Sequence, residues 1–256
     1  MRKTSTFQKP VIQLLMLFLF SLAIFIEVSP ASDDPRGYLK LGDTFFETKK
    51  YRDAAENYEY GLSLLKESTP GEHAIFGMIY NQIASCYLLM GNNNQALFNF
   101  YSAIDEGRIA MEVDREGSLP ILYHAYGAIL DIYDNEMLYE QMMAVTDEFI
   151  DLLETYKKDL LPDDVIDSGE VNNYLAYCYA QKGIKLDEAL LLIDDALAKS
   201  PGSYAMIDTK GWVLYKMGRF TEAKKNLEIA LKLCAGAGDD CYLIKRHLDE
   251  VSKKVR

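Results

Sequence analysis

Apolar residues recur along this chain at helical spacing, and one short pattern comes back five times. A small residue stands three places before an aromatic or a leucine; most copies then continue with an alanine, a bulky residue four places on, and a small residue three after that. The first copy is Gly42 and Phe45, then Ala54, Tyr58 and Gly61; the second is Ala84 and Tyr87, then Ala96, Phe100 and Ala103. Ala176 and Tyr179 lead into Ala189, Ile193 and Ala196, and Gly211 and Leu214 lead into Ala223, Leu227 and Ala230. Spacings of three and four place such residues on one face of a helix. Each copy therefore reads as two antiparallel helices meeting through their small residues. The middle copy is degenerate: Gly127 and Leu130 fit, but Tyr139, Met143 and Thr146 stand where small, aromatic and small residues belong.

After residue 36 no alternating pair of runs flanks a hairpin turn, so the expected fold is all-α. Turns are marked at 49–50, 91–94, 183–185 and 218–219, with glycines suited to a left-handed helix end. Asp53 with Glu56, Asp187 and Thr221 are expected to cap the second helices of their pairs. Pro35, Pro70, Pro120, Pro162 and Pro201 are expected between helices, Pro120 in a first turn. The predicted units are 36–69, 72–116, 118–160, 168–201 and 203–235. A final helix over 240–254 turns Leu243, Leu248 and Val251 to the stack and leaves Lys245, Arg246, Lys253 and Lys254 wet. From Gly127 to Ala176 the spacing is 49 residues, against 35 from Ala176 to Gly211. The excess falls in a polar break at 157–168, read as a surface loop with a hinge as the alternative.

With a leading aromatic at Tyr38 and Tyr80 and a closing proline at Pro201, the pattern resembles the tetratricopeptide repeat family over residues 35–235. The resemblance implies a right-handed α-solenoid whose first helices line a concave groove for an extended peptide or a partner helix. Carried onto this chain, the partner-binding set is Phe46, Asn81, Leu88, Asp131, Asn173, Tyr177, Asp208, Trp212 and Tyr215. Leu39, Asp43, Ser85, His124, Ala128 and Gln181 stand beside them, and Trp212 is expected to be the exposed anchor. The Lys/Asn/Arg set with which some members clamp a C-terminal carboxylate is missing, because Leu39, Asp43 and Gln82 occupy those places. What the family implies is a non-catalytic scaffold with a protein partner. Two rivals stand beside it: a membrane-tethered subunit of an envelope assembly or secretion machine, and a small-ligand or glycan binder using Trp212, Tyr215 and Tyr177 as stacking platforms.

The leader is another kind of sequence. Arg2, Lys3 and Lys9 precede a mostly apolar run at 11–26, and Ser29 and Ala31 bracket a cleavage point. At ~1.5 Å per residue the run spans about 24 Å, short of a ~30 Å hydrocarbon core. Residues 1–31 therefore read as a signal peptide and 32–256 as the repeat domain, periplasmic or extracellular. The alternative is an inner-membrane anchor at 11–26. Without the leader 24 basic and 38 acidic residues remain, a charge of −14 against −12 for the whole chain. That balance argues against nucleic acid and against an anionic membrane surface as partners.

Cys234 and Cys241 are expected to bridge in an oxidising compartment, whereas Cys86 and Cys178 read as small core residues. His73, His124 and His247 are isolated, with no His-x₃-His, Cys-x₂-Cys or His/carboxylate spacing. The acidic run at 163–167 lacks the glycine and spacing of an EF-hand. No nucleophile elbow, phosphate loop or dinucleotide motif occurs. No cofactor, metal or catalytic residue is expected.

Overall fold

The computed structural model describes residues 34–156 and 168–255; the leader, and residues 157–167 of the polar break, lie outside them. The described residues are all-α. Eleven helices follow in order: α1 (Pro35–Glu47), α2 (Tyr51–Ser68), α3 (His73–Leu89), α4 (Asn93–Ala110), α5 (Arg115–Asn135), α6 (Tyr139–Tyr156), α7 (Ser168–Lys182), α8 (Leu186–Lys199), α9 (Tyr204–Lys216), α10 (Phe220–Ala237) and α11 (Tyr242–Ser252). None of them is long and apolar enough to cross a membrane. Packing divides the described chain into residues 34–132 and residues 133–255, with the boundary in the last turn of α5.

One turn geometry closes every pair. The amides of Lys50, Asn92, Ile184 and Arg219 donate to the carbonyls of Phe45, Tyr87, Tyr179 and Leu214, at 2.8–3.0 Å. The preceding residue is left-handed: Lys49, Gly91, Gly183 and Gly218, with φ of 60°, 76°, 68° and 77°. The accepting carbonyl in all four belongs to the bulky residue of the repeat pattern, so the pattern sets where its own helix stops.

The middle pair departs by one turn. There Leu138 donates to Tyr133, three residues beyond Leu130, and Met137 is the left-handed residue. The second helix is displaced with it, and the expected register of Tyr139, Met143 and Thr146 is corrected: Met142, Thr146 and Phe149 are buried, while Tyr139 is half exposed. A longer first helix moves every partner position by about three residues.

Expected caps are corrected as well. α2, α8 and α10 begin at Tyr51, Leu186 and Phe220, so Asp53, Asp187 and Thr221 lie inside the first turn and cap nothing. Packing draws the helix starts outward: Tyr51 meets Phe46 edge-on at 5.5 Å, and Phe220 lies 5.8 Å from Tyr215. The acids instead face the positive end of the helix dipole. Pro120 is the sixth residue of α5, inside the helix rather than in its first turn.

Small residues do let the helices meet. A Cβ added at Gly42 would lie 2.5 Å from the Tyr58 ring, and one at Gly211 would lie 2.7 Å from Leu227 Cγ. Gly211→Ala is therefore expected to destabilise residues 133–255. Overpacking on the order of 1–3 kcal/mol outweighs the ~1 kcal/mol that alanine gains in helix propensity. Urea unfolding followed by the single tryptophan checks it, and a net gain in stability would show that the close approach is absent.

In residues 34–132 the core gathers Phe46, Tyr58, Phe76, Ile83 and Cys86. Burial pushes the Cys86 thiol up to about 12, which keeps it protonated and unreactive. At the edge of this unit, Lys66 Nζ donates to Glu106 at 2.8 Å and to Tyr80 Oη at 3.1 Å, and His73 Nδ1 lies 2.6 Å from the other Glu106 oxygen. In residues 133–255, Cys234 at the end of α10 is bonded to Cys241 just before α11, with α-carbons 6.0 Å apart.

Candidate partner-binding face

The first helices of residues 34–132 carry Phe46 on α1, Asn81 and Leu88 on α3, and His124 and Asp131 on α5. Phe46 is buried under Tyr51. Beside it Asp43 accepts a 2.7 Å hydrogen bond from Tyr58, and burial raises its carboxyl above the ordinary value. Asn81 is buried and donates from Nδ2 to the carbonyl of Ile121 at 3.1 Å, which ties α3 to α5. Ser85 closes back on the Asn81 carbonyl at 2.8 Å. Leu88 is only partly buried. His124 is 7% exposed, packs 5.8 Å from the Phe100 ring, and is held neutral by burial, which pushes its imidazole down to about 4. Asp131 is buried.

In residues 133–255 the corresponding face is covered by the chain's own last helix. α11 packs on α10 and α9 and buries Leu243, Ile244, His247 and Val251. His247 Nδ1 donates to Asp208, 3.0 Å from both carboxylate oxygens, and both side chains are at most 1% exposed. The imidazole also stacks on Trp212 at 4.2 Å, and Trp212 stacks on Tyr215 at 4.9 Å. Trp212 is consequently 9% exposed. The expectation of an open anchor there is corrected, because α11 and Tyr215 cover the ring.

Arg246 is also corrected. It was expected to be wet, yet its guanidinium pairs with Asp134, at the end of α5, through both the carboxylate and the main-chain carbonyl. Tyr177 donates to the other Asp134 oxygen, and Gln181 donates to the Tyr177 hydroxyl at 2.6 Å. Asp134 is 2% exposed and Tyr177 3%. Nearby, Asn173 is buried and Asn172 donates to Asp195 at 2.7 Å.

Sequence reasoning therefore found the first-helix residues and missed those that meet them. Asp134, Arg246 and the His247–Asp208 pair escaped notice because their partners are 39 to 112 residues apart. His73, expected to stand alone, likewise meets Glu106 across 33 residues. Among the described residues there is no group of three or more His, Cys, Asp or Glu able to hold a metal ion.

No family model and no curated protein sequence matches the chain. Solved structures do. YrrB, a TPR protein with an unusual peptide-binding site, matches with a TM-score of 0.50 at 15% identity, covering 84% of this chain and 91% of YrrB. A Podosopora anserina putative kinesin light chain with nearly identical TPR-like repeats gives 0.52 at 14% identity, covering 80% and 97%. BtubC from P. vanneervenii gives 0.53 at 17% identity, covering 91% and 89%. At such identities the likeness establishes the fold alone, sequential helix pairs of tetratricopeptide type.

Proposed function

We propose that this protein is a non-catalytic interaction scaffold, exported by its leader, that holds a polypeptide segment of a partner protein against its first helices. The carrying observation is a repeat position. Three residues before the small landmarks Ala84, Gly127, Ala176 and Gly211 stand Asn81, His124, Asn173 and Asp208, all polar and all buried. Packing alone favours apolar residues at such places. The fold supports the reading, since YrrB shares it and carries a peptide-binding site. Leu88 in residues 34–132 and Tyr215 in residues 133–255 are the only members of the expected set that are not fully buried, and each is the reachable apolar contact of its own unit.

Export is supported by the basic start and apolar run of residues 1–31 and by a disulfide, which persists in oxidising compartments. Of the three stacking platforms of the glycan reading, Trp212 and Tyr177 are covered, which leaves Tyr215 alone.

The test is crosslinking of the full chain in native envelopes, identification of the partner, and titration of that partner against variants. Leu88→Ala should weaken binding at least about tenfold, since ~1.4 kcal/mol is one decade, with helical content unchanged. Trp212→Ala should instead disrupt the last helix pair. Unchanged binding by Leu88→Ala, together with a selective loss in a fully helical Trp212→Ala, would overturn this placement.

A further inference from the structure

Second helices of a repeat stack turn their outer side to solvent, and that side is ordinarily charged. Two and five residues after the alanine landmark, α2 carries Glu56 and Glu59 and α10 carries Lys225 and Glu228, all exposed. α8 carries Leu191 beside Asp194. α4 departs from this: the same two places hold Phe98, 66% exposed, and Tyr101, 39% exposed. Ile109 near the end of α4 and Met90 at the turn before it are exposed as well. At roughly half of the ~200 Å² that a large side chain presents, four such residues leave about 400 Å² of apolar surface open, the size at which a surface patch marks a contact site.

Asn94, Phe98, Tyr101, Asp105 and Ile109 follow one another along α4 at spacings of four and three, so they form one outward stripe. From Asn93 to Ile104 the helix carries no charge, and Asp105, Glu106 and Arg108 all fall in its last six residues. A second α4 laid antiparallel about a two-fold axis between Phe98 and Tyr101 sets each Phe98 against the other copy's Tyr101. The same axis brings Asp105 opposite Asn94, an amide donor in the positive first turn of the other helix, and Ile109 opposite the turn that carries Met90. The two Asp105 carboxylates are then eleven residues, about 16 Å, apart along the helix, whereas a parallel pairing would put them side by side. The stripe is its own complement, as the isologous contact of a two-fold dimer requires.

We propose that the α4 stripe is a homodimer contact, in which two copies of this chain pair antiparallel through Phe98 and Tyr101. The area per copy is about half of the ~800 Å² of a standard interface, so the dimer is weak, of micromolar strength, and forms where the chain is concentrated. It uses a second helix and is independent of the partner-binding reading above, whose first helices it leaves uncovered.

Sedimentation equilibrium of the natural chain, as its cell produces it, tests this from low micromolar to submillimolar concentration. A monomer–dimer equilibrium is expected. Phe98→Glu, which copies Glu56 of α2, should raise the dissociation constant at least about tenfold, with helical content unchanged because Phe98 is exposed. Register is read by oxidative crosslinking of two variants: a mixture of Asn94→Cys and Asp105→Cys should yield a crosslinked dimer, and neither variant alone should. Cys86 and Cys178 are buried and Cys234 is bonded to Cys241, so only the introduced thiols react. A chain that stays monomeric at every concentration would overturn the inference. So would a dimer that Phe98→Glu leaves intact, or one in which the mixture gives no crosslink while Asn94→Cys alone does. Flotation of a monomeric chain with neutral phosphatidylcholine vesicles, lost in Phe98→Glu, would likewise overturn it and give the stripe to a lipid surface.

Discussion

Replacing Arg246 by alanine is expected to lower the stability of residues 133–255 by about 3–5 kcal/mol, the range for removing one partner of a buried ion pair. The cause is what stays behind. Asp134 is 2% exposed and, of its partners, keeps Tyr177 but loses the guanidinium on its other carboxylate oxygen and on its carbonyl. α11 has only eleven residues, too few to hold a helix in water by itself. Once the Arg246 contact is gone, it is held by the packing of Leu243, Ile244 and Val251 and by His247 against Asp208 and Trp212, with the Cys234–Cys241 bond keeping it nearby. Trp212 fluorescence reports the event directly, since the ring stacks on His247 and is the only tryptophan of the chain. Removing both charges together, as Asp134→Asn with Arg246→Met, should restore much of the loss, because no unpaired charge is then left buried. A loss below about 1 kcal/mol in Arg246→Ala would place the pair in the class of exposed salt bridges.

Acid is expected to destabilise residues 34–132 between pH 6.5 and 4. The sign follows from His124. In the folded chain burial holds its imidazole down to about 4, against an ordinary 6.5. The unfolded chain binds a proton there that the folded chain refuses, so stability is fully present above pH 6.5. It falls as the pH drops and stops falling from this source near pH 4. The loss is on the order of 3 kcal/mol, at 1.36 kcal/mol per unit of displacement. Glu106 adds to it at lower pH. Although burial raises its carboxyl, hydrogen bonds from His73 and Lys66 bring the net value below the ordinary one, so its contribution vanishes as it protonates. Hydrogen exchange of the amides of residues 118–132, measured at pH 7.0, 5.5 and 4.5 and corrected for intrinsic rates, should show protection falling with pH. His124→Phe should flatten that dependence, and an identical slope in the variant would rule out His124 as its source.

Asn81, His124 and Asn173 were legible as a row in the sequence because a repeat fixes which residues share a helix face. That each keeps a buried polar atom without a hydrogen-bond partner was not legible, since it depends on every atom that approaches it. Trp212 shows the same division. Its place three residues from Tyr215 put the two rings on one face, and they do stack; the spacing said nothing of α11, which reaches that face through His247. Register in the middle pair failed for a related reason. Gly127 kept phase with its neighbours, but one added turn of α5 changed every later position, and no local residue announces a helix that runs three residues further.

By itself the sequence determined the all-α class, the helix pairs, the small residues at their crossings and four of the five turns within pairs, all of which depend on residues within about twenty positions of one another. Spacing along a helix is local, so periodicity encodes it directly. Only the tertiary structure decided which polar groups are satisfied and which are not. It paired Asp134 with Arg246 and Asp208 with His247, and it left Asn81 Oδ1 and both ring nitrogens of His124 buried without a partner. Such pairings depend on which helices come to lie across one another. That is settled by the summed packing of many residues, and no spacing within a single helix records it.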